Sequence, residues 1–270
     1  MFLQFIHTLH TDWIKYRRSL LPWASLAYVL LVTFLVFIIT IGDKRKPDNA
    51  IFQFTRNIIT VGAFFLPFYL VLIISLLGYI EHRSQGWKLL YTQPVGRGYY
   101  YMSKLFLLIL TLLAVFVFKF IFSSLAIKLI ELSKHQIKLS DFLAMVPDFI
   151  LPELKIIVSC SALIAIQYWL SIRLRNFLSS SGIGTAAIIL PLAVFMILGI
   201  AGIISTPEKL NNFLKLDPYS LPYSFIFDFS QMKSSTVLVQ IPDKFVLGSL
   251  LAGILIFTAG FFDIRRRNIH

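Results

Sequence analysis

The feature that most constrains the fold of this chain is a set of six apolar runs. Each run is close to or above the length needed to cross a lipid bilayer. A helix needs about 20 residues, at about 1.5 Å each, to cross a hydrocarbon core of about 30 Å. The runs lack the alternation of polar and apolar residues typical of a membrane β-strand, so the helix is the expected spanning structure. We therefore predict an all-α integral membrane protein with a single transmembrane domain over residues 1–270. Its six spans are expected at 22–41, 58–80, 105–130, 154–172, 182–204 and 245–264.

The composition favours burial in lipid over a soluble core. Hydrophobic residues make up 57% of the chain and charged residues 14%, whereas about a quarter of a soluble domain is charged. The formal net charge is +12 at pH 7, which in a soluble protein would suggest nucleic acid. Here the basic residues flank the apolar runs, where such residues orient helices and contact anionic lipid. We therefore expect the lipid bilayer, and no nucleic acid, as a partner.

The distribution of charges predicts the orientation. An even number of spans places both termini on one side, together with the loop at 81–104 and the short loop after the fourth span. Basic residues are equally frequent on the two sides, but those on the side of the termini lie in short segments close to span ends, where they count most. Ten of the thirteen acidic residues fall on the opposite side. The prediction is a multi-pass protein of the bacterial inner (cytoplasmic) membrane with both termini in the cytoplasm.

Two segments outside the spans have patterns of their own. Residues 1–21 predict an amphipathic helix along the cytoplasmic interface, because aromatic and aliphatic residues recur at steps of three and four. A ragged tail with anchoring aromatic residues is the alternative. The segment at 205–244 is predicted to be an extracytoplasmic loop, in which 217–223 is extended or turning because it contains two prolines. Its apolar pieces at 225–229 and 236–241 are expected at the interface or as a cap on the bundle.

Signatures of catalysis are absent from the sequence. It contains no G-x-x-x-x-G-K-[ST] loop, no H-E-x-x-H and no G-x-S-x-G. None of the five histidines has a second ligand beside it in a span, and Cys160 is the only cysteine, so neither a metal site nor an intrachain disulfide is expected. The sequence therefore predicts no catalytic residue, no metal site and no cofactor in this chain itself.

Two polar residues inside the predicted spans are candidates for a translocation path. Lys119 lies fifteen residues after Lys104, which is about 22 Å along a helix. It either lines a path for an anionic or amphipathic substrate, or its side chain extends towards the outer head groups. Gln167 either faces that path or, like Ser159, forms hydrogen bonds between helices. No acidic residue falls in the middle of a predicted span. That pattern disfavours an ion-coupled secondary transporter, which would need paired intramembrane carboxylates or broken helices.

The loop at 81–104 is polar and basic, although it connects two spans over a short distance. After Glu81, residues 83–91 can form a short helix at the membrane surface with an apolar side and a basic side. Pro94 and Gly96 would end this helix and return the chain to the third span. From the residues alone, two interpretations remain open: a surface gripped by a cytoplasmic partner, or a plain interfacial loop.

The same loop resembles the first cytoplasmic loop of type-two ABC exporter permeases. The matching positions are Glu81, Arg83, Gly86, Leu89, Leu90, Thr92, Pro94, Val95, Arg97 and Lys104. The six-span plan, the N-terminal interfacial helix, the length and the large loop before the last span match as well. Residues 87–95, WKLLYTQPV, are most similar to permeases of the lantibiotic-immunity and antimicrobial-peptide export group. The added spacing at 82–85 and Gln93 depart from the pattern.

The resemblance implies that the chain is a transport subunit and not an enzyme. It also implies that the short helix is a coupling helix, seated in a groove of a separate ABC ATPase subunit. The residues that it assigns to coupling are Glu81, Arg83, Gly86, Trp87, Lys88, Leu90, Tyr91, Pro94 and Arg97. It also implies ATP and Mg on the partner ATPase, and a second permease copy or a homologous permease. The implied cargo, exported by alternating access, is an amphipathic peptide, a lipid-like molecule or a drug. An ion-coupled secondary transporter, or another polytopic membrane protein without an ATPase partner, is the alternative.

Overall fold

Helices dominate the fold in the computed structural model, which describes residues 2–42, 50–83, 97–134, 139–174, 176–200, 207–230 and 244–266. Ten helices lie in these ranges. They are α1 (Phe2–Arg17), α2 (Leu21–Gly42), α3 (Ala50–Arg83), α4 (Arg97–Lys134), α5 (Leu139–Ser159), α6 (Ser161–Arg173), α7 (Phe177–Ile200), α8 (Pro207–Leu214), α9 (Leu221–Ser230) and α10 (Lys244–Arg266).

Five of these helices are long and apolar enough to cross a membrane. Their apolar segments are Leu21–Gly42, Gln53–His82, Gly98–Ile130, Phe177–Ile200 and Lys244–Arg265. A sixth span is present if the bent pair of Phe149–Ser159 and Ser161–Arg173 crosses the membrane as one unit. The chain is therefore an all-α integral membrane protein, which confirms the fold class that the apolar runs predicted. Helices α3 and α4 continue beyond the apolar runs at both ends, because the backbone stays helical through the polar residues that flank them.

The stretch predicted as the fourth span, at 154–172, consists of two helices. Helices α5 and α6 meet at Cys160 with a bend of 45°. Ser249 of α10 lies at the bend: its hydroxyl donates to the carbonyl oxygen of Ser159 (2.6 Å) and accepts from the N–H of Ala162 (3.3 Å). A break in a helix is tolerated inside a membrane when a neighbouring helix satisfies the freed backbone groups. Packing against α10 therefore supports the bend.

Helix α3 is at the centre of the bundle, where it packs against α2, α5, α6, α7 and α9. Tyr28 of α2 stacks on Tyr69 of α3 with 4.5 Å between ring centroids, and the Tyr69 hydroxyl lies 2.8 Å from the Ser25 hydroxyl. The outer faces of α7 and α10 differ from this core, because large apolar side chains such as Leu190 and Leu255 are exposed there. Lipid is the solvent in which such faces are stable.

The segment predicted as an extracytoplasmic loop contains the short helices α8 and α9, joined by a turn at 215–220. The Asp217 carboxylate accepts the N–H groups of Tyr219 (3.1 Å) and Ser220 (2.8 Å), a side-chain turn that reverses the chain. The predicted turn is thus present. Pro222, however, lies in the first turn of α9 instead of in extended chain, because proline needs no N–H partner at the start of a helix.

Helix α9 closes one side of the bundle. It packs on α3, and Tyr223 and Phe225 are buried. The Tyr223 ring meets Phe64 of α3 at 5.7 Å between centroids. The apolar piece expected at 225–229 therefore begins against the bundle, whereas the piece at 236–241 lies outside the described residues.

Candidate functional site

Charged side chains from α1, α3 and α4 meet in a buried cluster. The Nζ atom of Lys104 is 2.9 Å from Glu81 Oε1 and 3.3 Å from Asp12 Oδ1. Lys15 Nζ lies 2.9 Å from the same Glu81 oxygen, and the Ser103 hydroxyl donates to Asp12 Oδ2 at 2.5 Å. These five residues are called the junction cluster below, because they join three helices.

The junction cluster is balanced in charge and largely closed to solvent. The side chains of Lys104 and Glu81 are 4% and 1% exposed, and that of Lys15 is 33% exposed. Charges at this depth persist when they are paired and hydrogen-bonded, and removing one partner costs more than the pair contributes. Two lysines face two carboxylates here, so the cluster buries no net charge. Its bonds hold α1, α3 and α4 in a fixed relation.

The cluster also determines how α1 lies on the bundle. The predicted N-terminal helix is present, and its side towards α4 includes Thr8 and Asp12, both buried. Trp13, one of the apolar residues of this helix, is 42% exposed. The polar residue Asp12 faces inwards because Lys104 supplies the compensating charge. No periodicity within 1–21 indicates a partner on another helix, so the sequence could not predict this contact.

The junction cluster holds both ends of the loop at 81–104. Glu81 lies close to the end of α3, and Lys104 lies two turns into α4. Of the residues assigned to coupling, Glu81 is buried in the junction cluster, Arg83 ends α3 and Arg97 begins α4. The others lie outside the described residues, and their coupling role stays a prediction: Gly86, Trp87, Lys88, Leu90, Tyr91 and Pro94.

A second ion pair lies between α4 and α5. Lys119 Nζ pairs with Glu153 Oε1, and the two side chains are 3% and 7% exposed. Gly62 of α3 leaves space for this pair, because a Cβ atom there would overlap Lys119 Nζ. The Tyr28 hydroxyl donates to the carbonyl oxygen of Gly62 at 3.1 Å. Lys119 thus points into the bundle and not towards the head groups, whereas its place on a translocation path stays a prediction.

Glu153 is the residue that sequence reasoning missed. It lies 34 positions from Lys119, too far for helical spacing to connect the two. It also precedes the expected start of the fourth span, so the spans were expected to contain no acidic residue near their middle. The segment Phe149–Ser159 of the bent pair contains Glu153 as its fifth residue, so this carboxylate lies near the start of the helix pair and not in the middle of a span. The apolar residues at 149–151 were the available signal, because they extend the run upstream past Glu153.

Gln167 of α6 forms a third buried polar group. Its Nε2 donates to Ser75 Oγ of α3 (2.9 Å) and to the carbonyl oxygen of Ser180 of α7 (3.0 Å). Its Oε1 accepts from the Tyr219 hydroxyl at 3.3 Å. A Cβ atom at Gly184 would overlap this Oε1. The hydrogen bonds between helices expected of Gln167 are present, and a role in a translocation path stays a prediction.

The hydrogen bond from the Tyr219 hydroxyl to Gln167 attaches the 215–220 turn to α6. Burial raises the pKa of Tyr219 to about 12, so the hydroxyl keeps its proton at neutral pH. A protonated phenol can donate to an amide oxygen without introducing a charge. The turn is thereby attached to α6 by a neutral hydrogen bond.

Among the described residues, no group of three His, Cys, Asp or Glu side chains is placed to hold a metal ion. The charges are instead paired across helices, in the junction cluster and between Lys119 and Glu153. Such pairs hold helices together and oppose any movement that separates the charges. The arrangement is suited to transmitting movement from one helix to another.

A family model described as ABC-2 family transporter protein matches residues 8–202, more than half of the chain. The matched range includes the junction cluster, the pair of Lys119 with Glu153, and Gln167. No curated protein matches the sequence.

Proposed function

We propose that this chain, which belongs to the ABC-2 transporter family and is a multi-pass membrane permease of an ABC transporter, is an exporter subunit driven by a separate ABC ATPase. It would lie in the bacterial inner membrane with both termini in the cytoplasm. The ATPase would bind ATP and Mg²⁺ and act on the loop between α3 and α4.

The junction cluster is the observation that carries this proposal. Through Glu81 and Lys104 it ties the end of α3 to the start of α4. Asp12 ties α4 to α1, and Lys15 ties α3 to α1. A push on the intervening loop is not absorbed at its ends, because separating buried charges would leave them uncompensated. The displacement would reach α1, α3 and α4 together. A loop anchored in this way is suited to receive force from a cytoplasmic partner.

The coupling contacts themselves are assigned to the loop. Trp87, Leu90 and Tyr91 supply the apolar side of a coupling helix seated in a groove of the ATPase, and Arg83 and Lys88 supply its basic side. The remaining assigned residues shape the ends of this helix, and the Glu81 carboxylate acts indirectly, through the junction cluster. ATP-driven closure of two ATPases would push the helix and switch the bundle between inward-open and outward-open states.

The assembly and the cargo follow from the same reasoning. Two permeases, either two copies of this chain or this chain with a homologous permease, would form the translocator. The cargo is an amphipathic peptide, a lipid-like molecule or a drug, for which the aromatic-rich spans are a suitable surface. The similarity of residues 87–95 to permeases for antimicrobial peptides supports a peptide within this set.

An ion-coupled secondary transporter is the second candidate; the family match disfavours it, but two specific observations are compatible with it. Lys119 and Glu153 form a buried charge pair in the bundle, and the helix pair α5–α6 is bent at Cys160. Intramembrane charges and broken helices are features of ion-coupled transporters. The two candidates differ in their energy source, ATP hydrolysis or an ion gradient.

Co-purification and ATP-driven transport test the proposal. The chain is produced together with an ABC ATPase encoded by an adjacent reading frame, and we expect the two proteins to co-purify. Proteoliposomes with both proteins should transport a fluorescent amphipathic peptide only when ATP and Mg²⁺ are present. Trp87→Ala should reduce co-purification or uncouple ATP hydrolysis from transport, because it removes the largest apolar side chain of the coupling helix.

Trp23→Ala is the matched control. Trp23 is a tryptophan of α2, 66% exposed and outside the loop, so its loss should leave both readouts unchanged. Transport that is unaffected by Trp87→Ala, or that follows an imposed ion gradient without ATP, would contradict the proposal.

A further inference from the structure

Helices α4 and α5 meet through side chains that bridge a gap. In the part of the chain that the structure describes, their backbones scarcely approach each other. The bridge includes the pair of Lys119 with Glu153, and Phe149, whose ring centroid lies 6.2 Å from that of Phe116 and 5.4 Å from that of Phe120. These five side chains are called the α4–α5 seam. Because side chains close the seam, it can open without loss of backbone hydrogen bonds in either helix.

In the seam, the positive charge of Lys119 and the negative charge of Glu153 compensate each other. Lys119 and Glu153 are both buried, and Gly62 packs directly against the Lys119 ammonium group. The next charged residue of α5, Lys155, lies over the ring of Phe225 at 5.2 Å from its centroid. Lys119 and Glu153 therefore compensate each other at close range, and any opening of the seam must supply new partners for both.

The bend at Cys160 is the point about which α5 would turn relative to α6. Ser249 of α10 bonds to both sides of it, at Ser159 of α5 and Ala162 of α6. Helix α6 is also held to α10 at Gly253, where a Cβ atom would lie 2.9 Å from the Ser161 carbonyl group. The seam is on the other side of the bend, on α5. A change in the bend angle would therefore shift α5 relative to α4 and open the seam, while α6 stays on α10.

An open seam presents a cation and an anion side by side, next to three aromatic rings. A ligand with a single charge would compensate one residue and leave the other buried without a partner, which is strongly unfavourable. We propose that the α4–α5 seam is a head-group site for a zwitterionic amphiphile. Its anionic group binds Lys119, its ammonium group binds Glu153, and its apolar chain lies against Phe116, Phe120 and Phe149. This inference rests on the proposed function, since it names the class of the cargo.

Three amphiphiles with the same dodecyl chain test the inference. They are dodecylphosphoethanolamine, which is zwitterionic, dodecyl phosphate, which is anionic, and dodecylamine, which is cationic. Each is titrated into the purified chain in a neutral maltoside detergent, and affinity is read from the rise in the unfolding midpoint. We expect the zwitterion to bind about tenfold more tightly, or better, than either amphiphile that carries charge of one sign only. No ATPase is present, so failure here is distinguishable from failure of the proposed function.

Two double variants test whether the preference for the zwitterion depends on the charges of Lys119 and Glu153. Lys119→Met with Glu153→Gln removes both charges and should abolish the preference for the zwitterion. Lys119→Glu with Glu153→Lys exchanges the charges and should retain the preference. An equal response to the three amphiphiles, a preference that persists without the charges, or its loss after the exchange would overturn the proposal. The wild-type comparison can overturn it by itself if a variant fails to fold.

Discussion

The ammonium group of Lys104 lies 2.9 Å from the carboxylate of Glu81, although the two residues are 23 positions apart and stand at opposite ends of the loop at 81–104. This bond closes the loop at its base, and Asp12 extends the closure to the N-terminal helix. Glu81 and Lys104, at the two ends of the loop, therefore have a structural role. The ends join helices, and the contacts with the ATPase are proposed for the central residues.

Lys104→Met should destabilise the protein strongly. The substitution leaves the buried carboxylates of Asp12 and Glu81 with Lys15 alone as a partly exposed cation. Loss of one partner of a buried ion pair costs about 3–5 kcal/mol, and the drop should appear in the unfolding midpoint of the purified protein in detergent. Lys15→Met is the matched control, because that side chain is 33% exposed and its loss leaves Glu81 paired with the buried Lys104, so the cost should be clearly smaller. Equal effects of the two substitutions would contradict a buried cluster centred on Lys104.

Gly62→Ala should weaken the contact between α4 and α5. A Cβ atom at this position would overlap Lys119 Nζ and force the lysine away from Glu153, a change expected to cost about 1–3 kcal/mol. Gly182→Ala is the control, because a Cβ atom there meets nothing within 4 Å, and alanine should stabilise a helix by about 0.5–1 kcal/mol relative to glycine. Both effects are measured as changes in the unfolding midpoint.

The cost of Gly62→Ala should depend on the charge pair. In the background of Lys119→Met with Glu153→Gln, the side chain beside Gly62 is uncharged and free to move, so the same substitution should cost much less. A cost that stays the same in both backgrounds would show that the alanine methyl group disturbs something other than the ion pair.

Ser249→Ala should destabilise the bend of α5 and α6. Its hydroxyl serves the carbonyl oxygen of Ser159 and the N–H of Ala162, and a buried polar group left without a partner costs about 1–3 kcal/mol. Thr258→Ala on the same helix is the control, since its exposed hydroxyl bonds only to the carbonyl oxygen of Leu255 among the described contacts. Thermal unfolding and protease sensitivity near the bend should both separate the two variants, and indistinguishable behaviour would argue against Ser249 as the support of the bend.

Asp217 should make stability depend on pH with a definite sign. Burial raises the pKa of its carboxyl group, although the N–H groups of Ser220 and Tyr219 favour the ionised form. The folded protein then binds this proton more tightly than the unfolded chain does. The stabilising contribution is complete below the unfolded-state pKa of about 4 and declines as the pH rises through the folded-state pKa.

Asp217→Asn therefore tests the sign directly, because it keeps the accepting oxygen and removes the charge. The substitution should raise the unfolding midpoint at neutral pH and have little effect near pH 4. A lower midpoint at neutral pH would show that the negative charge itself stabilises the turn.

Local sequence patterns predicted the helices well, and partners across the fold poorly. The 22–41 run is a helix in nearly the expected place, because hydrophobicity and length are properties of a single stretch of chain. Gln167 was also recognisable, since a buried amide needs hydrogen bonds and neighbouring helices are their natural source. The role of Glu153 was not recognisable, because its partner Lys119 belongs to another helix. The fourth span was also expected to begin one residue after Glu153.

The bend at Cys160 shows the same limit. No proline or glycine marks the position, so nothing local indicates a break in the helix. The break is supported by the Ser249 hydroxyl, which comes from a helix that follows much later in the chain. Helix α9, which begins at Leu221, is a second example. The two prolines indicated turning or extended chain here, but burial against α3 stabilises a helix.

By itself, the sequence determined an all-α membrane protein, because the cost of unpaired backbone groups in lipid turns each long apolar run into a helix. It also identified a polar loop whose pattern resembles that of ABC exporter permeases. Only the tertiary structure decided which charges compensate each other, where the fourth span bends and which face of α1 is buried. These features depend on groups that are distant in the chain and meet only after packing, since a buried charge is stabilised by the particular partner that the fold brings to it.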